Sequence, residues 1–264
     1  MNSTQKPIGI FDSGIGGTSI WKEIHQLLPN ENTIYLSDSK NAPYGQKSTQ
    51  EIVDLSVKNT EFLIKKGAKI IVVACNTATT NAIQYLRANY DIPFIGIEPA
   101  IKPASLKTKT GTIGILATKG TLNSALFEKT TSKLSDQITI IEQVGEGLVE
   151  LIENGKMESE EMTSLLEKYI NPMLENKCDY IVLGCTHYPY LLPQIRKITG
   201  ENIQIIDSGE AVAKQVKNVL SQQNLVNNST NNQSLNIFYI NKDKSVLENI
   251  LKDYKNSNID YLDF

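Results

Sequence analysis

Short apolar runs alternate along this chain with stretches in which apolar residues recur every three to four positions. The runs Pro7–Asp12, Thr33–Ser37, Lys69–Cys75, Pro93–Ile97, Thr112–Ala117, Ile138–Glu142, Asp179–Cys185 and Ile203–Ile206 are rich in β-branched residues and predict strands. Between them, Ile20, Trp21, Ile24, Leu27 and Leu28 fall on one helical face, as do Met162, Leu165, Leu166, Tyr169, Met173 and Leu174. Continuous apolar strands separated by such helices predict mainly parallel sheets covered on both sides, the α/β class.

The second half of the pattern echoes the first. Ile8-Gly9-Ile10-Phe11 returns as Ile113-Gly114-Ile115-Leu116, and Thr33–Asp38 as Ile138–Gln143. Ile71–Thr77 matches Tyr180–Thr186 in outline, and Ile92–Ile97 parallels Ile203–Ser208. All parallel strands share a composition, so one match carries no weight. Four in the same order, at a nearly constant offset, predict two similar α/β lobes, residues 1–98 and 99–207. After Ser221 the composition changes: Ser221–Asn236 is rich in Asn, Gln and Ser and reads as a solvated linker. Ile237–Ile240 and Val246–Leu251 would add a strand and a helix, and no chemistry is visible in this tail.

Composition narrows the function. The 264 residues are 40% apolar, enough for real cores. The 26 Lys and Arg against 29 Asp and Glu leave a net charge of −3, without the basic footprint of a nucleic-acid binder. The apolar runs fall far short of the ~20 residues of a membrane span. Asp12 and its glycines interrupt the first of them, so no secretion signal is expected and the predicted location is cytoplasmic. An odd number of cysteines (Cys75, Cys178, Cys185) argues against a disulfide framework, and two scattered histidines argue against a metal site.

In open α/β sheets, ligands bind beyond the carboxyl ends of strands. Asp12, Cys75 and Cys185 each end an apolar run there, and small or polar residues follow: Ser13-Gly14, Asn76-Thr77 and Thr186-His187. Such turns lead into helices, whose free N–H groups favour anions and thiolates. If the lobes face each other, the two cysteines flank one cleft from equivalent places. That arrangement suits removal of a proton from one face of a carbon stereocentre and its return on the other. A thiol, with a reference pKa of roughly 8.5, can serve as acid and as base. Cys178 precedes its strand, has no counterpart in the first lobe and reads as a small core residue.

Asp12-Ser13-Gly14-Ile15-Gly16-Gly17 does not fit a phosphate loop, because the third glycine would fall on Ser19 and Asp12 would oppose a phosphate. Its glycines are expected to let the backbone approach a ligand, with Asp12 meeting an ammonium group or orienting a thiol. An ordinary strand–turn–helix cap is the alternative. Pro43-Tyr44-Gly45 is a plain turn or, in a cleft, a carboxylate holder through its tyrosine and backbone N–H groups. His187, two residues past Cys185, is placed to donate to that thiol or exchange protons with it, a plain capping or surface role being the alternative. His25 reads as a polar-face residue, and Glu153 as either a solvated helix carboxylate or a cleft partner, position alone favouring the former.

Together, Asp12–Gly17, Pro43-Tyr44-Gly45, Cys75-Asn76-Thr77-Ala78-Thr79 and Gly184-Cys185-Thr186-His187-Tyr188-Pro189 resemble the signature segments of the glutamate racemase family, within the aspartate/glutamate racemase superfamily. The resemblance spans about residues 6–221. It implies cofactor-independent interconversion of L- and D-glutamate, supplying D-glutamate for peptidoglycan. It also implies two α/β lobes with the active site in the cleft between them, a homodimer, and a return segment, residues 208–264, packing on the N-terminal lobe. Position by position, Cys75 resembles the thiol facing the α-proton of D-glutamate and Cys185 the one facing that of L-glutamate. Asp12 and His187 match auxiliary acid–base residues, Glu153 a helix-end glutamate, and Asp38 a second-tier candidate. Ser13, Pro43, Tyr44, Gly45, Asn76, Thr77, Thr186 and His187, with Asp12, match substrate-binding positions. No lysine or loop points to pyridoxal phosphate. A racemase for aspartate or another amino acid, and a non-catalytic amino-acid binding protein, are the alternatives.

Overall fold

Strands β1 (Ile8–Asp12), β2 (Thr33–Ser37), β3 (Ile70–Val73), β4 (Phe94–Gly96), β5 (Thr112–Ala117), β6 (Thr139–Val144), β7 (Tyr180–Gly184), β8 (Gln204–Ile206), β9 (Asn236–Ile240) and β10 (Ser257–Tyr261) build two sheets. The structure, a computed structural model, describes residues 3–134, 137–229 and 234–264. One sheet runs β10-β9-β2-β1-β3-β4 and the other β6-β5-β7-β8, and the strand pairings described are parallel. The order β2-β1-β3-β4 is reproduced by β6-β5-β7-β8, so the echo in sequence is an echo in winding. The α/β class and the two similar lobes are therefore as the sequence implied.

The central strands β1 and β3 are buried along their whole length, which is why their sequences read as unbroken apolar runs. Helix α1 (Thr18–Leu27) buries Ile20, Trp21 and Ile24 against the first sheet's core and packs on the helix Gly209–Gln222, which follows the second sheet. Helix α2 (Thr49–Lys65) opens with a capping box of Ser48 and Glu51. Helix α3 (Asn76–Asn89) starts directly at the end of β3. The chain crosses between the sheets twice, after β4 and after β8, and the crossings are tied where the Ser208 hydroxyl donates to the Glu98 carbonyl.

The Asn-rich segment differs from the solvated linker expected. The preceding helix runs to Gln222, and Asn227 and Asn236 are buried. The Asn227 backbone N–H donates to Glu31 Oε1 at 2.8 Å and its side chain to the Asn30 carbonyl at 2.7 Å, while Asn236 Oδ1 accepts from Thr33 at 2.8 Å. Glu31 also faces Lys69 Nζ at 2.5 Å, buried, and that ammonium donates to the Leu225 carbonyl at 2.8 Å. These amides satisfy backbone and charge at the base of the first sheet. Composition reports polarity but not where hydrogen bonds go. Residues 230–233 of the segment lie outside the described residues. His25 is not on a solvated face either: its ring stacks on Trp21 at 4.9 Å with Tyr254 edge-on, and burial lowers its pKa. Among the described residues, no helix is long and apolar enough to cross a membrane.

Candidate active site

The carboxyl ends of β1, β2, β3, β5 and β7 meet across one cleft. Asp12 is the last residue of β1, Cys75 and Cys185 follow β3 and β7, and the two thiols line the same small cavity. Ser13, Pro43, Tyr44, Gly45, Asn76 and Thr77 line it from the first lobe; Thr186 and His187 join Cys185 from the second. Asp12 and Glu153 do not line the cavity; each stands one group behind it.

Behind Cys75 the order is thiol, hydroxyl, carboxylate. The Cys75 thiol donates to Ser13 Oγ at 3.7 Å, and the Ser13 hydroxyl donates to Asp12 Oδ1 at 3.5 Å. Asp12 Oδ2 accepts the Gly17 N–H at 2.7 Å, and the Thr186 hydroxyl reaches across from the other lobe at 3.4 Å. Burial raises the Asp12 pKa to about 6, against the pull of His187 and the Gly17 N–H. Cys75 caps α3, its sulfur accepting the Ala78 N–H at 3.4 Å. Burial, with Asp12 nearby, still pushes its thiol well above the usual range, so in this state Cys75 keeps its proton.

Behind Cys185 the order is thiol, imidazole, carboxylate. Cys185 Sγ lies 3.7 Å from His187 Nδ1, and His187 Nε2 lies 2.7 Å from Glu153 Oε1. Glu153 accepts the Ile15 N–H at 2.7 Å and the Ser39 hydroxyl at 2.7 Å, so Nε2 is the donor to a carboxylate already held from the other lobe. Burial alone would lower the His187 pKa; its bonds to Cys185 and Glu153 override that and hold it well above the usual range. Burial raises the Glu153 pKa, but the histidine and its other donors outweigh this and leave it lowered. The solvated reading of Glu153 is thus corrected. The helix Leu148–Glu153 is buried along most of its length, so no polar face marks the one carboxylate that turns inward.

The glycine loop serves a different approach from the one expected. A Cβ on Gly14 would overlap Glu153 Oε1, and a Cβ on Gly16 would overlap the His187 ring. These glycines admit side chains of the second lobe rather than a ligand. The same turn is fastened across the cleft by the Ser19 hydroxyl donating to the Thr186 carbonyl at 2.9 Å and by Thr18 against the Tyr190 hydroxyl at 2.6 Å.

Tyr44 also differs. Its hydroxyl donates to Asp38 Oδ2 at 2.5 Å and accepts from Asn59 at 3.2 Å, so it is not free to donate to a carboxylate in the cleft. Burial and the Asp38 charge keep the phenol protonated. Asn76 does the opposite: it is buried, and neither its amide nitrogen nor its oxygen has a partner. An amide left unpaired beside a cavity is placed for a ligand's hydrogen bonds. Thr118 lines the cavity and bonds Thr77 at 2.8 Å, and Ser39 holds Glu153; neither stood out in the sequence. Thr118 is the repeat partner of Ser13, so the internal echo could have found it. Cys178 is buried away from the cleft, its thiol pushed up to about 11 by burial.

The comparisons with known proteins agree among themselves. The family model described as Asp/Glu/Hydantoin racemase matches residues 8–216. A glutamate racemase from Clostridium perfringens is 46% identical over 243 residues, 92% of this chain and 94% of that one. A solved glutamate racemase isoform from Bacillus anthracis superposes with a TM-score of 0.87 at 31% identity, covering 99% of this chain and 98% of that one. A glutamate racemase from Francisella tularensis, solved with D-glutamate, gives a TM-score of 0.83 at 28% identity, covering 99% and 97%.

Proposed function

The chain belongs to the Asp/Glu/hydantoin racemase family, and from that premise we propose that it interconverts L- and D-glutamate by moving the α-proton between its two cleft thiols. The observation that carries this reading is the paired arrangement: two thiols at equivalent strand ends face one cavity, each backed through a single polar group by a buried carboxylate. One cysteine, as thiolate, removes the α-proton; the other, as thiol, delivers its own proton to the opposite face. The C–H bond broken and the C–H bond formed leave the substrate's composition unchanged. The thiols finish with exchanged protonation states, which the reverse turnover restores.

In this reading Cys185 faces the α-proton of L-glutamate and Cys75 that of D-glutamate. Charge that develops on the α-carboxylate is met by the unpaired Asn76 amide, with Thr77, Thr186 and the Pro43–Gly45 turn lining the same cavity. Ser13 and Asp12 orient one thiol; His187 and Glu153 orient the other and hold a proton within reach of it. Both proton transfers are assigned to protein groups, so the reaction proceeds without an added cofactor. Glutamate is chosen over aspartate because the relatives of high identity bear that name. A homodimer in the cytoplasm that supplies D-glutamate for peptidoglycan completes the proposal.

The test is incubation of purified, reduced protein with L-glutamate, D-glutamate and L-aspartate separately, without added cofactor, followed by chiral chromatography. Both glutamate enantiomers should approach the same equal mixture while aspartate stays unchanged. Conversion of aspartate alone would keep the mechanism and move the substrate. No conversion of any of the three by folded protein would favour the binding-protein alternative.

Asp12 gives the pH dependence its sign. With a pKa of about 6 in the free protein, its carboxylate forms as pH rises through that value, and the charged form accepts from Ser13 and Gly17 more strongly than the acid. The expected kcat/KM therefore rises with pH across about pH 5 to 7. In Asp12→Asn this limb should vanish, together with about 10²-fold or more of the activity. A wild-type profile flat through pH 6 contradicts the assignment.

A further inference from the structure

The tail that returns after the second lobe reaches the candidate site at one residue. Strand β9 pairs in parallel with β2, with Ile240 opposite Ser37, so Asn241 emerges beside Asp38 at the carboxyl edge where Asp12 and Cys75 also lie. Asn241 is buried, and its side chain uses both ends: Nδ2 donates to Asp38 Oδ1 at 2.5 Å, and Oδ1 accepts the Lys40 backbone N–H at 2.8 Å. Asp38 takes a second bond on Oδ1 from Asn41 at 2.8 Å, leaving Oδ2 to receive the Tyr44 hydroxyl. Asn59 of α2 holds that hydroxyl from behind. The result is a continuous chain from the return strand to the Pro43–Gly45 turn that walls the cavity.

We infer that Asn241 is a positioning residue for substrate capture, fixing the Asp38 carboxylate so that Tyr44 and the Pro43–Gly45 turn hold the cavity wall in place for both enantiomers. The inference rests on the racemase reading above and extends it to a part of the chain in which the sequence showed no chemistry. Two features favour a positioning role over plain packing. Both polar ends of the amide are committed to one short stretch, residues 38–40. The acceptor is a buried carboxylate, for which a neutral donor is worth more than shape alone. Of the charged or ionisable groups around Asp38, Tyr44 stays protonated and the Lys40 ammonium pairs with Asp263 in the open, while Asp12 ends the adjoining strand β1 and Glu153 is held by the neighbouring Ser39 hydroxyl.

Two variants test this. Asn241→Ala removes the donor and should raise KM for L- and D-glutamate alike, by about tenfold, with kcat changed less than about threefold. Asn241→Asp keeps the shape but sets a carboxylate against Asp38. Two carboxylates this close cannot both ionise without strong repulsion, so the pair retains a shared proton at lower pH. The ratio of variant to wild-type KM should therefore be large at pH 8.5, about 50-fold or more, and fall to about fivefold or less at pH 6. A merely structural role would give a ratio that does not move with pH. Should the alanine variant fail to fold, the isosteric aspartate variant, compared at pH 6 and pH 8.5, carries the test alone. Affinity for D-glutamate, measured by calorimetry on the same proteins, should weaken in parallel with KM. A KM within about twofold of wild type in Asn241→Ala, or a pH-independent ratio in Asn241→Asp, overturns the inference. If the wild type binds D-glutamate but converts neither enantiomer, the racemase reading fails, while the calorimetric comparison still decides the role of Asn241.

Discussion

Cys75→Ala is expected to lower racemisation of glutamate in both directions by at least about 10³-fold while leaving one half-reaction alive. Without the Cys75 thiol, nothing on that face removes the α-proton of D-glutamate or protonates the intermediate formed from L-glutamate. Cys185, backed by His187 and Glu153, still faces L-glutamate. In D₂O the variant should therefore exchange the α-proton of L-glutamate without inverting it and leave D-glutamate untouched. Cys185→Ala should show the mirror image, exchange of D-glutamate alone. The asymmetry separates loss of a base from general damage, which would silence both enantiomers together. Turnover near the wild-type rate in either variant would remove that thiol from the mechanism.

The second large effect is expected at Gly16. A methyl group there would occupy the space of the His187 ring, which is buried and bonded on both nitrogens, so neither side can yield cheaply. Gly16→Ala should cost about 1–3 kcal/mol of stability, as overpacking does, and about 10²-fold or more in activity through displacement of His187 from Cys185. The cycle with His187→Ala makes the cause explicit. On a His187→Ala background, which itself loses stability by leaving Glu153 unpaired, the added Gly16→Ala should cost little more, read from urea midpoints, while activity stays low. If Gly16→Ala unfolds at the wild-type midpoint, the close approach of the lobes at this turn is not what the glycine provides.

Most of the fold could be read from the pattern because the strands in question are buried on both sides. Burial of that kind demands the unbroken β-branched runs seen in β1, β3, β5 and β7. Strand β10 escaped for the opposite reason. Its sequence, Ser257–Tyr261, is polar and largely exposed, and it is held by pairing with β9 rather than by an apolar face. The cysteines could be read because the repeat placed them at matching strand ends, and the motifs around them are specific. The groups behind them were harder to find. Glu153 meets Ile15 and Ser39 across the lobe boundary, and nothing local announces contacts so distant in sequence. The Tyr44 hydroxyl could not be assigned without knowing that Asp38 and Asn59 converge on it. Asn241 lay just past the predicted strand Ile237–Ile240, in a tail that showed no chemistry, although its bonds lead to the cavity wall.

The central claim is that the proton removed and the proton delivered pass through different groups. The most direct test follows L-glutamate in D₂O at early times, with proton NMR of the remaining substrate and mass analysis of the D-glutamate formed. Two separate thiols predict that nearly all newly formed D-glutamate carries deuterium at the α-carbon while the residual L-glutamate keeps its protium. The same should hold from D to L. D-glutamate that retains the substrate's protium would mean that a single group carries the proton from one face to the other, and would contradict the two-thiol account.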